Sequence, residues 1–430
     1  MVARLFILLL VCLSAVSTAA AQTRRTVVAD SVTRHPLPSA AVFDRDGNVL
    51  GMTDNRGRLP YISADDFPVT LRYLGFHERT VGALTVDTVF MTESTTELPE
   101  FQVETRQHKV LHVLAYVREY STLSSYTDTV FMFREKMVDF MLTPDPKVRF
   151  QGWRLPRVIK SDSYYRFTNA QGLDSVSSRC NNHFSWSDWI GLVPSPVMPG
   201  PVRRAEFAAD TVFGKYSPTE IWTRRNDRVT VDVNVLADTT SRKWVPNLSA
   251  FFKKHLDFEN FRVRYNYDGV ADDSIAMTDL SAYSFSIESD GRGREMFKFN
   301  RQDEPVYVST FGEVHILDKE YITVKEAKKW KNRKFETENL EIIVPAEAPE
   351  LTPSVRELAA RVNAINHIDV RTDLAPDRRL IGRRVKVQNI GERAFALLKQ
   401  LTGITAIRAH RSWNKSWKTF RDDRKSRNRE

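Results

Sequence analysis

The sequence predicts a mainly β protein: an N-terminal β-sandwich, a second antiparallel, half-barrel-like β domain, and a short basic helical C-terminal region. Three observations carry this. Between residues 26 and 103, short β-type runs alternate with turn signals at close intervals, the pattern of a small antiparallel sandwich. Between residues 105 and 345, several runs alternate polar and apolar residues without a break. Residues 346–430 shift to helical periodicity, and to lysine and arginine.

The amino terminus reads as an export signal. Arg4 precedes an unbroken apolar run over residues 5–13, small residues follow, and Ala19, Ala20 and Ala21 close the segment. The run is shorter than the roughly 20 residues a membrane-spanning helix needs. Cleavage after Ala21 is expected, giving a mature chain that begins near Gln22 and resides in the periplasm or at the outer membrane. Cys12 lies inside the apolar core behind Val11, where lipid attachment wants a small residue, so no lipid anchor is expected. Cys180 is then the lone cysteine of the mature chain, which excludes an internal disulfide and reads as a small buried hydrophobe.

At 430 residues the chain is long enough for two to three domains, and 42% hydrophobic with 27% charged residues is ordinary globular composition. The sandwich is expected over residues 22–104. Its clearest part is a hairpin, residues 40–43 and 49–52 flanking Asp44, Arg45, Asp46, Gly47 and Asn48, where Asp-Gly supplies a tight turn. Asp44, Asp46 and Asn48 begin like a calcium loop, but the loop ends before a bidentate glutamate can follow.

The succession Val32-Thr33, Pro36-Leu37, Ala40-x-Val42, Asp46-Gly47, Gly51-x-Thr53-Asp54-x-x-Gly57, Val69-x-Leu71-x-Tyr73-Leu74-Gly75-Phe76 and Leu98-Pro99-Glu100 resembles the carboxypeptidase regulatory-like domain of bacterial envelope proteins. The resemblance is confined mainly to residues 24–103, and the glycine usual ahead of the first strand is missing. It implies a transthyretin-like or immunoglobulin-like sandwich serving as spacer or interaction module, with no peptidase activity.

In the middle domain, residues 229–235, 261–267 and 283–287 alternate cleanly, which predicts antiparallel strands with one polar, solvated face. Asn247 is placed to cap a helix carrying Leu248, Phe251, Phe252, His255 and Leu256 on one face, suited to the inside of a curved sheet. Residues 116–120 and 131–137 are similar to the region that follows the regulatory domain in other envelope proteins, some of which continue into an outer-membrane barrel. No long series of lipid-facing strands follows here, so an integral barrel is not expected.

Pro345, Pro349 and Pro353 mark a linker, after which Thr352 or Ser354 starts a helix carrying Val355, Leu358, Ala359, Val362 and Ile365. A second helix is expected over residues 392–401. Residues 371–430 hold 17 Lys+Arg against 6 Asp+Glu, a net of +11 within a chain total of +9, so the rest of the chain sums to −2. Arg411, Trp413, Lys415, Trp417, Lys418 and Arg421 form a basic amphipathic helix in this reading, a contact surface for an acidic partner or anionic lipid. Export makes nucleic acid an unsuitable partner; an envelope protein, a glycan or a lipid remain.

No catalytic site is legible. The nine histidines include no His-x-x-Glu or zinc-hydrolase spacing, and neither Gly-x-Ser-x-Gly nor a phosphate-binding glycine loop occurs. No cofactor or metal is called for. The densest unusual segment runs from Cys180 to Trp189, where His183, Trp186, Asp188 and Trp189 suit a glycan or peptide platform, or a loop plugging the end of a sheet. The expected function is non-catalytic: structural, assembly or ligand binding. The alternatives are a hydrolase using two sequence-distant carboxylates, and a carrier of an apolar ligand or lipidated protein.

Overall fold

The computed structural model describes residues 26–83, 86–94, 109–125, 128–145, 147–169, 171–179, 185–193, 196–203, 206–214, 218–237, 257–270, 273–292, 305–333, 335 and 340–365. The signal segment, His183, the helix anticipated at residues 247–256, the one at 392–401 and the basic segment at 411–421 lie outside these residues.

Six short strands build the sandwich: β1 (Val27–Asp30), β2 (Ala41–Phe43), β3 (Val49–Met52), β4 (Val69–Arg72), β5 (Arg79–Val81) and β6 (Thr88–Met91). β1 pairs with β6 in parallel, and the order β3-β2-β4-β5 makes the facing antiparallel sheet. Val28, Leu37, Val42, Leu59, Val69, Leu71 and Val89 fill the space between them. The β2–β3 turn closes on itself. Asp44 Oδ1 accepts from the amides of Asp46 and Asn48, both at 2.8 Å, and Gly47 takes φ +80°. The aspartate is thus engaged with its own loop, as in an Asx turn.

Ten strands form one open antiparallel sheet. They are β7 (Val110–Ser124), β8 (Thr129–Leu142), β9 (Trp153–Thr168), β10 (Asp174–Ser177), β11 (Phe207–Phe213), β12 (Pro218–Arg225), β13 (Arg228–Asn234), β14 (Asp257–Tyr267), β15 (Leu280–Arg292) and β16 (Pro305–Ile322). Their spatial order is β10-β9-β8-β7-β16-β15-β14-β13-β12-β11, so β10 and β11 are the edges and the sheet does not close into a barrel. Among the described residues no helix is long and apolar enough to cross a membrane.

The polar faces of the central strands are buried or half-buried, which corrects the expectation of a solvated face. Along β7, Leu111, Val113, Ala115 and Val117 point to one side, and His112, Tyr116, Arg118 and Tyr120 to the other; all are buried. The first side is covered by residues 185–193 and 196–202, an irregular strap that packs Trp186, Ile190, Leu192, Met198 and Val202 into the main core. Tyr265 and Tyr283 donate their hydroxyls to the strap carbonyls of Gly191 (3.0 Å) and Ile190 (3.2 Å). The second, more polar side is covered by the sandwich. Polar alternation marked that side correctly as distinct, but what meets it is another domain instead of water.

Two helices complete the described fold. α1 (Val324–Asn332) starts at a capping box in which Thr323 Oγ1 accepts from the Glu326 amide at 3.2 Å and the Glu326 carboxylate accepts from the Thr323 amide at 2.9 Å. Its Trp330 packs against His112 with ring centroids 4.6 Å apart and the planes tilted by 37°. α2 (Pro353–Asn363) has Pro353 in its first turn, where the missing N–H costs nothing. As the apolar spacing anticipates, it buries Val355, Leu358 and Val362, here against Phe43, Tyr120, Phe131 and Phe133.

Candidate binding cleft

The seam between sandwich and sheet opens into a cleft of about 170 Å³. Its floor follows from strand register. Asn266 on β14 lies opposite Ala282 on β15, Ala282 opposite His315 on β16, and His315 opposite Tyr116 on β7. Cross-strand partners share a face, so these side chains form one row, and Ala282, with no atoms beyond Cβ, leaves a recess between Asn266 and His315. Glu313 stands two residues from His315 on the same face, between Ser284 and Arg118.

The sandwich supplies the second wall, from Arg72 to Phe76 at the end of β4. Gly75 turns the chain there with φ +82°, and a Cβ at this position would come within 3.2 Å of Asn266 Nδ2. Residues 345–349 supply the third wall. They are held by Arg118, whose Nη1 donates to the Pro349 carbonyl and whose Nε donates to Tyr116 Oη at 2.6 Å. Arg228, Asp268 and Lys319 also line the cleft.

The polar groups around this cleft divide into those already engaged and those that are not. Arg72 pairs with Glu78 and lies over the rings of Phe43 and Tyr120. Arg228 Nε bonds Asp268 at 2.5 Å, and Lys319 Nζ donates to the carbonyls of Thr278 and Leu280. By contrast, Glu313 Oε2, Asn266 Oδ1 and His315 Nε2 have no hydrogen-bond partner among the described residues, although their residues are only 2%, 5% and 8% exposed. Such groups are rare in folded proteins and call for an explanation. The cation closest to Glu313 is Arg72, whose Nη1 stands 3.9 Å from Oε2, beyond hydrogen-bond reach.

Burial raises the Glu313 carboxyl above the ordinary carboxylate range, against the pull of Arg72 and Arg118. Burial, followed by the charge of Arg118, pushes His315 down to about 4, so its ring is neutral at ordinary pH. Lys319 is lowered to about 8, chiefly by burial.

The structure places the sequence-derived candidates elsewhere. Trp186 is 1% exposed and packs edge-on to Phe258 and Phe261, as an anchor of the strap. Asp188 bonds Lys136 Nζ at 2.6 Å, and Trp189 is 39% exposed. Trp186 therefore offers no open indole face, and the strap carries these residues on the apolar side of the sheet, away from the cleft. The cleft residues escape sequence reading because they come from the sandwich, β14, β15, β16 and residues 345–349, segments far apart in the chain.

No family model matches the chain, and no curated protein matches it. Among solved structures, a chain titled lipid-protein interactions in lipovitellin aligns with 52% of this chain and 26% of its own length, at 8% identity and a TM-score of 0.25. A likeness of that size transfers neither fold nor ligand.

Proposed function

We propose that this is a non-catalytic, exported envelope protein that binds a small ligand in the cleft between its regulatory-like sandwich and its ten-stranded sheet. The observation that carries the reading is the set of three unpartnered acceptors, on side chains more than nine-tenths buried, around a recess left by Ala282. Leaving such groups unsatisfied costs about 1–3 kcal/mol each, a cost that a ligand supplying the missing bonds offsets. Export rests on the order of charge, apolar run and small residues in the first 21 positions.

A thermal-shift screen of small amines, carboxylates and sugars tests the cleft, with Ala282→Leu as the blocked control. Ligands of the wild-type protein should lose their effect in Ala282→Leu. A screen with no ligand in any class, or ligands indifferent to the substitution, would end the reading. Export is checked separately by the mature amino terminus in an envelope fraction, expected at or near Gln22.

A further inference from the structure

We infer that the ligand of this cleft is a primary ammonium group on an aliphatic stem, received by Glu313, Asn266 and His315. The inference rests on the binding reading above and names its chemistry. An ammonium carries three donors and no acceptor. The cleft offers three acceptors without donors: Glu313 Oε2, Asn266 Oδ1 and His315 Nε2. Among the buried side-chain atoms of the lining residues, Arg72 Nη1 is the one donor without a partner, against three such acceptors.

Charge points the same way. Arg72 is matched by Glu78, Arg118 by Glu135 at 3.5 Å, and Arg228 by Asp268 at 2.5 Å. Glu313, in the floor of the cleft, has no cation within hydrogen-bond reach, its ion pair with Arg72 being 3.9 Å long, and an ammonium supplies one, while Lys319 and Glu347 add one charge of each sign to the lining. Neutral His315 presents a ring nitrogen able to accept, in the tautomer that places its proton on Nδ1. Leu74, Phe76, Ile316 and Leu317 supply apolar surface along the cleft, matched to a hydrocarbon stem. A free alkylamine and a lysine side chain share this chemistry.

The test uses the full mature chain at neutral pH and titrates n-butylammonium, n-butanol and butanoate, followed by calorimetry or by amide shifts of β14–β16. Butylammonium should bind, with butanol and butanoate weaker on the order of tenfold or more, the loss expected when a charged hydrogen bond is removed. Glu313→Gln keeps the shape of the side chain and should weaken butylammonium by a similar factor while the circular dichroism spectrum stays unchanged. An arm with Nα-acetyl-lysine amide separates the sources: equal or tighter binding assigns a peptide side chain, and its failure beside bound butylammonium assigns a free amine. If butanol or butanoate binds as tightly as the amine, the ammonium assignment falls and the cleft remains a binding site. If none of the probes binds and the screen above is also empty, the cleft itself is not a ligand site.

Discussion

Glu313 ionises less readily in the folded protein than an exposed carboxyl does. Its carboxyl is raised by burial, with Arg72 and Arg118 opposing, so ionising it costs more in the folded chain than in the unfolded one. A group raised in this way contributes stability that is present below its unfolded value and is lost as the pH rises through its folded value. Glu313→Gln should therefore stabilise the unliganded protein at neutral pH by about 0.5–2 kcal/mol, the range common for a stabilising single substitution. The advantage over wild type should shrink as the pH falls into the acid range. Urea denaturation of both proteins across pH reads this directly, and a variant less stable than wild type at neutral pH would show that Glu313 is a structural ion pair. The neighbouring Gly312 is a case of packing alone. A Cβ built there would sit 2.1 Å from Phe285 Cζ, in a ring buried in the main core. Gly312→Ala should thus cost about 1–3 kcal/mol of stability through overpacking. An unchanged midpoint would mean that the Phe285 ring moves aside freely.

At the scale of elements, the strap is the part whose attachment is most exposed to a single change. Glu119, fully buried on β7, accepts from the hydroxyls of Ser185 (2.6 Å) and Ser187 (2.7 Å) and from the Trp186 amide (2.8 Å). Lys136 on β8 completes the network, donating to both serines and to Asp188. Burial would raise the Glu119 carboxyl, but Lys136, Arg134 and the serine hydroxyls outweigh it and hold it below the ordinary value. Removing Lys136 strands a buried carboxylate, so Lys136→Met should destabilise by about 3–5 kcal/mol, and adding Glu119→Gln should recover part of the loss. A double-mutant cycle with no coupling would contradict the network. The sign with pH is opposite to that of Glu313: stability from Glu119 is present above the ordinary carboxylate range and is lost as the pH falls through its depressed value. This network also shows where sequence reading stops. The Asp-Gly hairpin, the alternation in β13, β14 and β15, and the apolar spacing of α2 are local signals, and they mark real elements. Ser185, Ser187 and Asp188 looked like a polar setting for exposed tryptophans because their partners, Glu119 and Lys136, lie some fifty to seventy residues earlier in the chain. The capping box of α1 at Thr323 and Glu326 was a readable signal that helical periodicity over so short a segment did not bring out.

At the scale of the whole molecule, the sandwich and the sheet share an interface that resembles a core more than a linker. Ala41, Phe43, Val49 and Met52 on the outer side of the sandwich pack with Tyr120, Phe131, Phe133 and Phe311 of the sheet and with α2. Directed bonds cross the same seam: Val49 donates its amide to Thr122 Oγ1 at 2.8 Å, and Arg264 bonds Tyr73 Oη at 2.8 Å while lying 4.5 Å from the centre of its ring. Arg225 joins Asp30 and Glu93. The sandwich nonetheless has its own core of aliphatic residues, and residues 22–104 expressed alone are expected to unfold in a cooperative transition. Separation, however, bares Phe43, Val49 and Met52 and leaves Arg72 without the ring of Tyr120. At about 25 cal/mol per Å² of apolar surface, losing that contact outweighs the chain entropy gained by freeing a unit that is already folded. The isolated sandwich should therefore melt well below the full chain, and the full chain should melt in one transition, with sandwich and sheet coupled. Differential scanning calorimetry of both, with near-ultraviolet circular dichroism as a second probe, decides it. Two transitions in the full chain, the first at the melting temperature of the isolated sandwich, would show that the seam contributes no stability and that the cleft it encloses opens and closes freely.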